Sequence, residues 1–382
     1  MPLLDLPAPD DAALAASAAL SGRIRAAIRG NGGWIGFAQY MALALHEPGL
    51  GYYAGGARKF GAGGDFVTAP ELGPLFGRTL ARQVIELCAG RPVRLMELGA
   101  GSGALAEHLL DELAVLGHPA TAYAILETST ALRVRQRERL GDRATWLDAL
   151  PARFDGVIVA NEVADALPVH AVAWTSGGPR ERGVVEHKAG FAWADGPPVD
   201  GALAAAAAAL DVEPPPSGRY ESEIGLAARA WMSSLAASLG DGALVVVDYG
   251  FPQREYYHPQ RSMGTLSCHY RHRSHGDVFL HPGLQDITAH VDFTALAHAA
   301  CDEGLELLGY ATQATFLANC GITDVLAAYD PADARRYAPR ASEAQMLMSP
   351  AEMGELFKVL VAGRGIQGPL LGFARGDRAG TL

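Results

Sequence analysis

The stretch RLMELGAGSGALAEHLL, residues 94–110, decides the fold. A run of strand-forming residues ends at Glu97, glycines follow at 99, 101 and 103, and an amphipathic helical pattern begins directly after them. Glycines at this spacing let the backbone turn tightly and present its N–H groups to a ligand at a helix N-terminus. Gly99, Gly101 and Ala104 also satisfy the dinucleotide pattern G-x-G-x-x-G/A, so the glycines alone leave a nicotinamide cofactor open. Glu97 argues for the other choice. Two positions before the first glycine, a carboxylate suits a ligand carrying an ammonium or sulfonium and repels a pyrophosphate. The expected cofactor is S-adenosyl-L-methionine, held by Glu97, Gly99, Gly101 and Gly103.

Working outward, 382 residues exceed one ordinary core, so a main domain with an added lobe is expected. A composition of 49% hydrophobic and 19% charged residues excludes a mostly disordered chain. The formal charge of −11 argues against nucleic-acid binding, which needs clustered Lys and Arg, and fits a basic substrate, although most of the carboxylates serve solubility. Cys88, Cys268, Cys301 and Cys320 are widely spaced, which suggests neither a disulfide framework nor a zinc cluster; a reducing cytoplasm is expected. The N-terminus MPLLDLPAPDD lacks the features of a signal or transit peptide, and no apolar run reaches the ~18 residues of a membrane span.

Between residues 21 and 44 apolar residues recur at helical spacing around a Gly-rich break, predicting two helices. Residues 49–71 are rich in glycine, with two tyrosines and the basic pair Arg58 and Lys59, as a mobile lid requires. Apolar strands then alternate with helices: RLMEL, AYAILE, ATWLD, FDGVIVANE and ALVVVDYG. The expected fold is α/β, a Rossmann-like, mainly parallel doubly wound sheet with a helical N-terminal extension and an inserted substrate lobe. The expected divisions are N-terminal helices and lid at 1–80, cofactor-binding core at 81–169, a small β meander and linker at 170–218, core again at 219–250, a His-rich loop insertion at 251–285, and the C-terminal part of the core at 286–382. An alanine-rich tract ending at Leu210, before Pro214 to Pro216, reads as a surface helix and linker.

Glu127 closes the second strand, 24 residues after Gly103, where a carboxylate can accept the ribose hydroxyls of a bound adenosine. Asp148 ends the third strand, near the expected adenine amino group, though a turn-forming role is nearly as good. The fourth strand ends in Asn161 and Glu162, facing the reaction centre. Asn161 is expected at the cofactor, and Glu162, with Asp165 beside it, is the expected catalytic carboxylate, able to grip a guanidinium and take up its proton. Asp286 is a further carboxylate for a cationic substrate, or a helix cap. Seven histidines from His258 to His298 lack the spacing of a zinc site, so no metal is expected.

Several strings together resemble the MidA family of methyltransferase-like proteins: HEPGLGYY (46–53), GDFVTAPELGPLFG (64–77), ELGAGSGAL (97–105), NEVADALPVH (161–170), VDYG (247–250) and PGLQDITAHVDF (282–293). The resemblance runs from about Gly33 to Phe373. It implies a class I methyltransferase fold, S-adenosyl-L-methionine as donor, and symmetric dimethylation of an arginine on a respiratory complex I subunit, whose assembly the mitochondrial members assist. Within GDFVTAPELGPLFG, Thr68 is expected at the cofactor and Glu71 at the substrate. Where the family carries an aromatic pair after the Glu of NE-x-x-D-x-L-P, Val163 and Ala164 stand here, a departure that bears on the substrate channel. The alternative is a non-catalytic assembly or scaffold protein that keeps the cofactor pocket. A nicotinamide-linked oxidoreductase ranks third, because nothing after the glycine turn identifies a hydride-transfer residue.

Overall fold

Seven strands that the sequence makes apolar form the continuous path of the eight-stranded main sheet of the computed structural model, which describes residues 6–55, 68–188, 190–214 and 218–382. They are β1 (Arg94–Leu98), β2 (Ala122–Leu126), β3 (Thr145–Leu147), β4 (Phe154–Asn161), β5 (Leu239–Phe251), β6 (Glu306–Thr312) and β7 (Phe357–Arg364). Their spatial order is β3-β2-β1-β4-β5-β7-β6. From β3 to β5 every neighbour is parallel, and β7 runs antiparallel to both β5 and β6. Both faces of the central strands are covered, so residues pointing either way are apolar: Leu95 and Met96 in β1, Val157 to Ala160 in β4, and Ala243 to Val247 in β5 are all buried. This is the doubly wound α/β sheet expected from the alternation of strands and helices.

Helix α1 (Leu75–Cys88) precedes β1, α2 (Ala104–Val115) follows it, α3 (Thr130–Leu140) follows β2, and α4 (Leu226–Ser238) leads into β5. In α2 the buried Leu105, Leu109 and Leu113 recur every four residues, the stripe that turns one face of the helix onto the sheet. The core cluster joins this stripe to Leu80 and Val84 of α1, Ile125 of β2, Val157 and Val159 of β4 and Val245 of β5. Gly77 permits the close approach of α1 to α2: a Cβ there would lie 2.6 Å from His108 Cβ.

The chain divides into two compact units. The sheet and its helices form one, made of Val67–Ala164, Ala230–Pro252 and Asp292–Leu382; Met1–Phe66, Asp165–Arg229 and Gln253–Val291 form the other. In the second, the segments AVAW, RGVVEHK and FAWAD lie in antiparallel strands His170–Thr175, Gly178–His187 and Gly190–Pro198, with Arg219–Ile224 and the short Ile35–Gly36 in the same sheet. Helices Asp11–Gly30 and Phe37–His46 share a core with it through Leu20, Ile24, Phe37, Tyr40 and Val184. The alanine-rich tract forms helix Gly201–Ala208, with Leu203 and Ala207 buried. The His-rich stretch, read from the sequence as a loop, contains a hairpin of Ser267–Tyr270 and Arg273–His275. Its turn residues Arg271 and His272 both have positive φ, +46° and +61°. Asn or Gly usually marks such a turn, which is why it was illegible in CHYRHRSH. Of the expected lid, residues 56–67, with Arg58 and Lys59, lie outside the described residues.

The α1–α2 contact yields a test. Gly77→Ala gains ~1 kcal/mol of helix propensity, while forcing the helices apart costs ~1–3 kcal/mol, so a net loss of up to ~2 kcal/mol is expected. Urea unfolding should show a lower midpoint with an unchanged slope.

Candidate active site

The glycine turn takes the conformation its residues alone allow cheaply. Gly99, Gly101 and Gly103 have φ of +61°, +53° and +83°, and Gly103 is the N-cap of α2. Two hydrogen bonds fix the turn: the Gly99 N–H donates to the Leu126 carbonyl at 3.0 Å, and the Gly103 N–H to that of Ala100 at 2.7 Å. At Gly99 a Cβ would come within 3.0 Å of Val163 Cγ2, so the chain leaving β4 lies close over the chain leaving β1.

Glu127, at the end of β2, is buried, and its carboxylate accepts the Ser129 N–H at 2.8 Å and the Gln136 amide at 3.1 Å. The same Gln136 Nε2 donates to the Gly101 carbonyl at 2.9 Å, while the Trp146 indole N–H donates to Gln136 Oε1 at 2.9 Å. Glu97 and Glu127 lie on one face of the sheet, since Glu97 is in register with Ile125 and Glu127 follows two residues later. Glu97 accepts the Tyr123 hydroxyl at 2.6 Å. Burial pushes its carboxyl up to about 7; the Tyr123 hydrogen bond opposes the rise and the charge of Glu127 adds to it. Burial therefore opposes the negative charge that the sequence leads one to expect of Glu97.

The end of β4 is the second constructed feature. Glu162 has φ +54°, a left-handed conformation uncommon for a residue with a side chain, and its N–H donates to the Val247 carbonyl at 2.8 Å. Fully buried Asp248 of β5 accepts the Ala164 N–H at 2.9 Å, which pins the chain just after Glu162. Glu162 Oε1 accepts the Ala69 N–H at 3.2 Å and the Asn161 amide at 3.1 Å. Asn161 Oδ1 is buried with no hydrogen-bond partner among the described residues. Ala69 opens the short helix Ala69–Leu72, of which Thr68 is the N-cap; Glu71 in it accepts the Ser102 hydroxyl of the glycine turn, to which Arg139 also donates at 3.2 Å. Glu97, the three glycines, Glu127, Asn161, Glu162, Thr68 and Glu71 thus all belong to the sheet unit; all but Thr68 lie at the carboxyl ends of β1, β2 and β4 or contact the segments that follow those ends, and Thr68 directly precedes Ala69, which bonds Glu162.

Asp148 belongs to the same unit but has its side chain 89% exposed, in an ion pair with Arg133 at 2.7 Å. Asp165 and Asp286 belong to the other unit, where both are buried. The Tyr53 hydroxyl lies 3.0 and 2.9 Å from the two Asp286 oxygens, and the ring of His46 stacks on that of Tyr53 at 5.7 Å. Burial raises the Tyr53 phenol well above its ordinary range, and the charges of Asp286 and Asp165 add to this. Residues from three strings quoted above, 46–53, 161–170 and 282–293, therefore meet in one polar cluster around the buried Asp165 and Asp286. Gln136, Trp146, Tyr123 and Asp248 were not singled out as site residues in the sequence; Asp248 lay within the quoted VDYG, and Gln136 left a signal as the polar member of the buried series Leu132, Gln136, Leu140 in α3. Among the described residues no group of three or more His, Cys, Asp or Glu could hold a metal ion, and no helix is long and apolar enough to cross a membrane.

A parallel sheet with a glycine turn after its first strand and a carboxylate closing its second defines the class of Rossmann-like cofactor-binding enzymes. Comparison makes the class specific. Residues 75–311 match the family described as "Putative S-adenosyl-L-methionine-dependent methyltransferase". The protein arginine methyltransferase NDUFAF7 of Danio rerio is 30% identical over 85% of this chain and 82% of its own length; the Mus musculus protein of the same name is 30% identical over 85% and 80%. A crystal structure from Burkholderia thailandensis bound to S-adenosyl-homocysteine is 52% identical, with a TM-score of 0.95 over 99% of this chain and 100% of that one. The chain belongs to this methyltransferase family. It is an S-adenosyl-L-methionine-dependent enzyme, and the residues present fit that cofactor: a turn kept free of side chains at Gly99, a buried carboxylate at Glu127 and an unpartnered buried acceptor at Asn161.

The raised Glu97 carboxyl predicts a pH signature. Between its ordinary value near 4.5 and about 7, the folded protein holds the proton that the unfolded chain releases. Wild-type stability therefore falls relative to Glu97→Gln as pH rises through that window, by up to ~3 kcal/mol, and the difference is constant above it. Thermal unfolding of both proteins from pH 4.5 to 8 checks this.

Proposed function

We propose that this methyltransferase acts on an arginine side chain of a protein, with Glu162 orienting the guanidinium. One observation carries the reading. A carboxylate stands at the carboxyl end of β4, beside the glycine turn, in a backbone conformation that costs ~1–3 kcal/mol and that Asp248 and the Val247 carbonyl hold in place. Strain retained at such a position is best explained by what the side chain must reach. The names of the Danio rerio and Mus musculus relatives support arginine as the target, and the acidic charge of −11 is compatible with a cationic partner.

On this reading Gly99, Gly101 and Gly103 admit the cofactor's backbone-facing edge, Glu127 accepts its ribose hydroxyls, Asn161 Oδ1 accepts an N–H, and Thr68 and Asp148 flank it. When bound, S-adenosyl-L-methionine supplies an electrophilic methyl group on a sulfonium. Glu162 offers a guanidinium two acceptor oxygens and takes up the proton that the methylated nitrogen releases. Glu71, next to the turn, adds negative charge at the substrate. A bacterial cytoplasmic setting and a respiratory-complex subunit as target are the expectations that the family resemblance adds.

Two measurements test the assignments. Glu127→Ala should weaken S-adenosyl-L-methionine binding by ~1.5–3 kcal/mol in calorimetry, and less for an analogue lacking the ribose hydroxyls. Glu162→Gln keeps the shape but loses one acceptor and the base, so it should retain cofactor affinity and lose at least ~100-fold in methylation of arginine, followed with labelled donor and a cell extract. Full activity in the Gln variant would move the role to another carboxylate. No labelled arginine with the wild type would overturn arginine as the target.

A further inference from the structure

Gln136 has no assigned role, yet it is the best-connected buried amide near the glycine turn. It is fully buried, and its neighbours on the same face of α3, Leu132 and Leu140, are apolar. A buried amide in such a stripe persists only if its polar atoms are satisfied. Here the hydrogen-bond geometry is specific. Both acceptors it meets, the Gly101 carbonyl and the Glu127 carboxylate, face Nε2, at 2.9 and 3.1 Å. The indole N–H of Trp146, which can only donate, faces Oε1 at 2.9 Å. That partner set admits one orientation of the amide, because a flipped amide would set oxygen against two acceptors and N–H against a donor. Arg137 lies over the Trp146 ring at 5.0 Å and helps to hold the indole.

We propose that Gln136 is a positioning residue of the cofactor site: one amide holds the Glu127 carboxylate and the middle of the glycine turn in fixed relation, and Trp146 sets the direction of that amide. The proposal rests on the reading of Glu127 as the ribose acceptor. Without the amide, the Glu127 oxygen and the Gly101 carbonyl are left short of a donor in a buried setting. The site would then be disordered before any ligand arrives, and the cost would appear in cofactor affinity.

The test is a double-substitution cycle read by calorimetry with S-adenosyl-homocysteine, using the full chain. Gln136→Met, similar in length and apolar, should weaken binding by about 10–30-fold alone but by several-fold less in the Glu127→Ala background, because there the contact between the two residues is already gone and only that to the Gly101 carbonyl is left to lose. Gln136→Glu keeps the shape and the Trp146 acceptor but sets a carboxylate against Glu127; it should weaken binding at least as much as Gln136→Met, and it serves the same cycle if the Met variant does not fold. An amide that merely fills space would give equal losses in both backgrounds and a near-normal Glu variant, and either result overturns the proposal. Normal affinity in Gln136→Met with a weakened Glu127→Ala overturns this inference alone. Normal affinity in Glu127→Ala overturns the ribose assignment, and this inference with it.

Discussion

The site depends on the reversal of strand order between β1 and β4. From β1 the sheet is extended by β2 and β3 on one side, and from β4 by β5, β7 and β6 on the other. The chain leaving β1 and the chain leaving β4 therefore turn toward opposite edges, and a crevice opens where they part. Each strand leaves through a left-handed residue, Gly99 after β1 and Glu162 after β4. The glycine takes this conformation almost without cost, whereas the glutamate takes it because Val247 and Asp248 of the neighbouring β5 hold the backbone on either side of it.

Burial of charge on the same sheet face is handled in two ways. Glu127 receives a backbone N–H and an amide N–H. Glu97 receives the Tyr123 hydroxyl, and there burial outweighs the hydrogen bond and lifts its carboxyl to about 7. The two carboxylates sit one strand apart, so ionisation of one discourages ionisation of the other. The result is a site with one firmly supplied acceptor and one carboxyl that can change its charge near neutrality.

Local sequence determined what local geometry dictates: the β1–turn–α2 unit, because three glycines in five residues after an apolar run admit few conformations; the parallel sheet, because its central strands are apolar on both faces; and Glu127, because its distance from the turn places it at the end of the next strand. The strands β6 and β7 were not read from the sequence, where residues 286–382 stood only as the C-terminal part of the core, and a run such as FKVLVAG carries no sign of its antiparallel direction. The His-rich hairpin was missed because Arg271 and His272 occupy turn positions where Asn or Gly is the usual sign. Tertiary structure alone decided that the N-terminal helices, the 170–218 strands and the His-rich segment form one unit, since segments more than a hundred residues apart share that core. It alone decided that Asp165, three residues after Glu162, belongs with Asp286 and Tyr53, and that Trp146, Glu127 and the Gly101 carbonyl of the glycine turn converge on the Gln136 amide. Such contacts join residues of different elements through side-chain direction, and no spacing along the chain encodes that direction.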